Sequence, residues 1–202
     1  MSDYSDLEVA PETVLVRGLI EADDSFVEAI EPAGVDPERF KGAMRALATG
    51  VAIVTVEVDG RLWGLTINSC CSISARPPQI LISLAHTASG RAPLLESGRF
   101  GLSILGVGHL ELAELGAVPG GPKSLDVFAE RAAADDAPAM IAGALAHLDC
   151  RVSDVFEVSD HTLVIGVVRE AIVAGEPRDP LLYYDRAFHR LGPPLETESE
   201  ER

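Results

Sequence analysis

Residues 66–72 read Thr-Ile-Asn-Ser-Cys-Cys-Ser, a small polar stretch set between apolar runs. The hydroxyls of Thr66, Ser69 and Ser72, the carboxamide of Asn68 and the intervening backbone amides lie in a segment too polar for a core and too short for a linker. A ligand held by hydrogen bonds would sit there. Other residues able to do chemistry are sparse. His161 follows Asp160, and it either works at a site or only opens a strand and shares a hydrogen bond with its neighbour. His86 and Arg91 stand equally as site residues or as solvated surface. Cys70, Cys71 and Cys150 form no C-x-x-C pair, which argues against a zinc ribbon, a thioredoxin-like motif or a secreted disulfide framework. Cys70 and Cys71 read as small buried hydrophobes rather than redox groups. The five histidines never pair at metal-ligand spacing along a helix, so no structural metal is expected.

The elements around these residues follow from periodicity. Val51 to Val58 and Leu62 to Ile67 are β-branched, apolar runs flanking Asp59-Gly60, a pair that tolerates the positive φ of a type I′ turn; they predict an antiparallel hairpin. Ile80 to Leu84 predicts a third strand, entered through the stiff Pro77-Pro78. Asp36-Pro37 is a helix start, with the carboxylate accepting orphan amides and proline at the first turn. Phe40, Met44 and Leu47 then share one helix face until Gly50. Short helices are expected at 91–97 and from His109 to Leu115, and strands from Arg99 to Leu105, Ala144 to Val158, His161 to Val173 and Leu181 to Leu191. Residues 116–142 form a long excursion rich in Gly, Ala, Pro and Asp. Mostly antiparallel logic with few helices predicts a mainly β fold, a six-stranded antiparallel split β-barrel with peripheral helices. No G-x-G-x-x-G or G-x-x-x-x-G-K-[ST] is present, so a doubly wound nucleotide-binding sheet is not expected.

With 202 residues and 47% hydrophobic content, the chain suits one domain. Of the net charge of −16, −10 lies in residues 1–38 and −3 in residues 193–202, leaving −3 for the rest. The acidity therefore belongs to the ends. With no basic stripe to neutralise phosphates, nucleic acid is disfavoured as a partner. No apolar run reaches the roughly 20 residues of a membrane span and the N-terminus is acidic, which together with unpaired cysteines predicts a cytoplasmic protein with no membrane contact. The expected organisation is an acidic N-terminal extension over 1–35, with one amphipathic helix from about Pro11 to Ile30; a main domain over 36–192; and an acidic, disordered tail over 193–202.

The ordered motifs resemble a known family. Phe40-x3-Met44-x2-Leu47-Ala48-Thr49-Gly50-Val51, Thr66-Ile67-Asn68-Ser69, Ser72-Ile73-Ser74, Pro77-Pro78, Ile82-Ser83-Leu84, Ser97-Gly98-Arg99-Phe100, Leu148-Asp149-Cys150-Arg151-Val152, Asp160-His161-Thr162-Leu163-x-Ile165-Gly166 and Pro180-Leu181-Leu182-Tyr183-Tyr184 resemble, in unbroken order over about 38–192, the flavin reductase-like family with an FMN-binding split barrel. The resemblance implies a homodimer that binds FMN or FAD, takes hydride from NADH or NADPH, and supplies reduced flavin to a flavin-dependent monooxygenase. It places Thr66, Ile67, Asn68 and Ser69, with Ser72, along the flavin ring, and Ser83, Leu84 and Ala85 on the segment leading to the phosphate. Ser89 and Arg91 are the phosphate candidates, and His161 lies on the nicotinamide side. Departures from the family pattern are Cys70 for a larger residue, Arg76 for Asp, Ser103 for Asn, Ser159 for Gly, and the run 86–90. They keep open a flavin-binding accessory protein without reductase activity, and more remotely a barrel holding a deazaflavin or haem.

Overall fold

The computed structural model describes residues 34–58, 61–118, 129–130, 138–175 and 179–195. The expected helix from Pro11 to Ile30, the centre of the excursion and most of the acidic tail lie outside these residues. Helix α1 spans Pro37–Met44, and Asp36 caps it as anticipated, its Oδ1 accepting from the amides of Glu38 and Arg39 at 3.0 and 3.1 Å. The helix stops at Met44, not at Gly50. Two tighter turns, Ala46 N to Ala43 O and Leu47 N to Met44 O, unwind it, because Thr49–Gly50 is already taken as strand β1 by pairing with Tyr183 and Leu182.

Eleven further strands follow in chain order: β2 Ala52–Val58, β3 Arg61–Ile67, β4 Cys70–Ala75, β5 Pro78–Ala85, β6 Arg99–Ile104, β7 Ala129–Glu130, β8 Met140–Ile141, β9 Ala146–Val158, β10 His161–Val173, β11 Leu181–Tyr184 and β12 Ala187–Arg190. Helices α2 (Arg91–Ser97) and α3 (Leu110–Ala117) interrupt them, α3 entered through a 3-10 turn at Val107–His109. Val58 stands opposite Arg61, so β2 and β3 form the expected hairpin with a two-residue connection; residues 59 and 60 themselves lie outside the described residues. One expected strand, Leu181 to Leu191, is instead the hairpin β11–β12. Asp185 and Arg186 both take positive φ, 46° and 65°, as a two-residue antiparallel turn demands.

The main sheet has seven strands in the order β3-β2-β6-β9-β10-β5-β4, every neighbour antiparallel. The fold class is the expected one, and the seventh strand is β4, the stretch read from sequence as a loop. Its alternation is masked by small polar residues, but pairing with β5 (Cys70 opposite Ile82, Cys71 opposite Leu81) holds it extended. The order also imposes closure. Six spacings of about 4.8 Å would put the outer strands of a flat sheet roughly 29 Å apart. Yet β3 and β4 are joined only by Asn68 and Ser69, three Cα steps that reach at most about 11 Å. The sheet must curl until its two edges meet, and since they share no ladder the barrel is split at that seam.

The run from Val51 to Val54 at the start of β2 is apolar on both faces because both are buried. Ala52, Val54 and Val56 face the barrel interior with Ile82, Leu84 and Phe100. Val51 and Ile53 face outward into a second core under α3 and β11, with Leu105, Leu112 and Leu181. Helix α2 inserts Leu94 into the barrel core. No helix among the described residues is long and apolar enough to cross a membrane.

Candidate functional site

The seam and the adjoining strand ends gather the sequence candidates. The last ladder pairs beside the connection are Ala52 opposite Ile67 and Cys70 opposite Ile82, so the backbone amides of Asn68 and Ser69 lie outside both ladders. The side chains there are used to hold the connection. Asn68 Nδ2 donates to Thr49 Oγ1 at 3.1 Å, and Ser69 Oγ donates to Ser83 O at 2.8 Å while Ser83 N donates to Ser69 O at 3.0 Å. Across β5, Leu163 stands opposite Ser83 and His161 opposite Ala85. Asn68, Ser69, Ser83, Ala85 and His161 therefore share three neighbouring chain segments, within about two ladder spacings of roughly 5 Å each.

Other candidates are placed differently. Thr66 turns its hydroxyl away from the barrel interior, where it is buried without a partner and pressed against α3; a Cβ on Gly116 would come within 2.2 Å of it. Ile67 and Leu84 are core side chains at 7% and 1% exposure, so only their main chain can face a ligand. Ser72, opposite Ile80, lies about 10 Å further along β4 than Ser69. Ser89 is exposed on the turn from β5 into α2. Cys70 and Cys71 are exposed, contrary to the expectation that they are buried: β4 is a sheet edge with little packed on either face. Burial of Cys150 in the barrel core pushes its thiol up to about 12, which makes it inert.

His161 begins β10, and its Nδ1 lies 2.7 Å from Asp160 Oδ1. The carboxylate fixes Nδ1 as the donor, leaving Nε2 outermost. That hydrogen bond, with a second from its own backbone, holds the Asp160 carboxyl below its ordinary value. The turn between β9 and β10 sets this geometry, and Ser159 pays for it with φ of 52°, the conformation that glycine takes without strain.

Sequence reasoning missed Glu157 and Thr162. Glu157 Oε2 accepts from His86 Nε2 at 2.7 Å and from Thr162 Oγ1 at 2.9 Å, and Glu157 Oε1 pairs with a terminal nitrogen of Arg91. Arg91 Nε also donates to Thr162 Oγ1. The signal was available: counting out from a two-residue turn at 159–160 puts 157 opposite 162.

The donor set suits a planar, heteroatom-rich ring. Free main-chain amides border the seam, hydroxyl and imidazole groups stand beside them, and the side chains that shape the connection are already hydrogen-bonded and need no rearrangement. By contrast, an apolar crevice lined by Val54, Trp63, Leu65 and Leu94 has room for little more than a water molecule and cannot take such a ring. Among the described residues, no cluster of three or more His, Cys, Asp or Glu is placed to hold a metal.

Comparisons with known proteins converge on this fold. The family model described as "Flavin reductase like domain" matches residues 44–192. A protein of Kitasatospora aureofaciens named "Flavin reductase (NADH)" is 37% identical over 166 residues, covering 80% of this chain and 85% of the relative. The reductase component of a 4-nitrophenol 4-monooxygenase/4-nitrocatechol 2-monooxygenase from Rhodococcus opacus is 34% identical over 159 residues, covering 79% and 83%. Among solved structures, the NADH:FAD oxidoreductase SgcE6 of Streptomyces globisporus, in complex with NAD and FAD fragments, superposes with a TM-score of 0.72 at 30% identity, covering 82% of this chain and all of that one.

Proposed function

The chain belongs to the flavin reductase like domain family, and we propose that it transfers hydride from NADH to FMN or FAD and delivers reduced flavin to a partner monooxygenase. The observation that carries this reading is the convergence of Asn68–Ser69, Ser83–Ala85 and His161 on the barrel's seam. Bound flavin supplies the hydride acceptor and the nicotinamide the donor. The protein's share is placement. The amides of Asn68 and Ser69 hydrogen-bond the ring's polar edge. The hydrogen bonds of their side chains to Thr49 and Ser83 fix those amides in advance, so they would hold a bound ring without reorganising. His161, oriented by Asp160, would present Nε2 to the nicotinamide side and position that ring.

Residues 36–192 form the domain responsible, and the setting is the cytoplasm, where NADH is available. The active form is a homodimer. Exposed Phe40, Met44 and Ile73 give α1 and β4 apolar surface suited to a second copy.

An absorption spectrum of the purified protein, followed by NADH and NADPH oxidation with and without added FMN or FAD, tests the reading. Oxidation with NADH that depends on added flavin is expected. Tightly held flavin without turnover would instead make the protein an accessory flavin-binding barrel.

A further inference from the structure

We propose that Glu157 determines flavin specificity by occupying Arg91, so that the protein reads a flavin by its ring and not by its phosphate. The inference rests on the flavin-binding reading above and deepens it. Arg91 opens α2 where the chain leaves β5, the place at which the flavin's phosphate is expected. Its guanidinium is already engaged, through Nε by Thr162 and through a terminal nitrogen by Glu157. Thr162 is fully buried and fixed in the β9–β10 ladder, so this partner does not move away. Glu157 in turn is held by three donors, from Arg91, His86 and Thr162.

A phosphate monoester and a carboxylate present similar oxygen pairs to a guanidinium and compete for the same N–H groups. Two of the five guanidinium N–H groups are used, so a flavin phosphate that reaches Arg91 meets a cation whose charge is already balanced by a carboxylate that keeps two other donors and remains nearby. Asp160, on the adjoining turn, adds a second negative charge at the same rim. The phosphate gains little net attraction there, and riboflavin, FMN and FAD should bind with similar affinity.

Flavin fluorescence quenching on the full-length protein tests this. For the wild type, the dissociation constants of riboflavin and FMN should agree within about threefold, with FMN affinity nearly independent of ionic strength. Glu157→Gln frees the guanidinium and should tighten FMN by about tenfold, with riboflavin unchanged, and should make FMN binding salt-sensitive. Adding Arg91→Gln should cancel that gain. A wild-type preference for FMN of tenfold or more that Arg91→Gln abolishes would overturn the proposal. So would equal changes for both flavins in Glu157→Gln, which would reduce the cluster to a latch holding α2. Failure of every flavin to bind the wild type would overturn the underlying functional reading as well, a result distinct from either of these.

Discussion

His161 and Asp160 act as a unit. Removing the imidazole with His161→Ala should lower NADH-dependent turnover by about 10²-fold, while the flavin dissociation constant, measured by fluorescence, moves little; unchanged kinetics would take the residue out of the mechanism. Because Asp160 is held below the ordinary carboxylate value of 3.8, its folded pKa is depressed. The pair's contribution is therefore present at neutral pH and is lost only as the pH falls below that value. A buried histidine gives a dependence of the same sign from a different cause. His147 is 5% exposed beside Ser103, whose hydroxyl accepts from Ile141 N at 3.1 Å and so donates its proton to His147 Nδ1 at 2.9 Å. Burial pushes this imidazole below its ordinary 6.5, against the pull of Asp149. Below pH 6.5 the unfolded chain takes a proton that the native state refuses, so stability falls with pH, by up to about 1.4 kcal/mol per unit. His147→Asn should flatten that slope between pH 7 and 5 in urea titrations, and an unaltered slope would assign it to other groups.

At the scale of elements, the fit of α3 against β3 sets where the seam lies. Gly116 leaves the space that the Thr66 hydroxyl and backbone amide occupy, at 2.2 and 3.1 Å from a would-be Cβ. Gly116→Ala should cost about 1–3 kcal/mol in urea unfolding, and Thr66→Ala in the same chain should restore part of it; additive losses would mean that the two positions do not meet. The same contact shows what the sequence could and could not reveal. Apolar periodicity identified β2, β3, β5, β6, β9 and β10, because each buries at least one face and so writes the pattern that burial requires. It did not reveal β4, whose faces are exposed and whose residues carry no alternation; only pairing with β5 makes it a strand. Ordered motifs gave candidate residues for the site but not the direction of their side chains. Thr66 points at α3, outside the barrel, because that helix, distant in sequence, presents a glycine there. Arg91 is engaged because a hairpin register brings Glu157 to it. Ser159 was legible as a departure from glycine, and its φ of 52° supplies the reason that glycine would suit the turn.

For the whole molecule, the surface left apolar on one copy predicts how copies assemble. Phe40 and Ile73 are 55% and 46% exposed, on α1 and on the edge strand β4. Light scattering should give the mass of a dimer, and Ile73→Glu, which places a charge on that edge, should shift it toward the monomer at micromolar concentration; an unshifted dimer would place the interface elsewhere. The short link between β3 and β4 also bears on how the barrel folds. The two edges of the sheet are tethered by Asn68 and Ser69 from the start, so bringing them together carries only the entropy of a very short loop. The closures that must be searched for lie elsewhere, above all where β5 finds β10 across a long stretch of chain. Refolding rate is thus decided by the β5–β10 ladder, which also brings Ala85 opposite His161, and the seam closes once that ladder has formed.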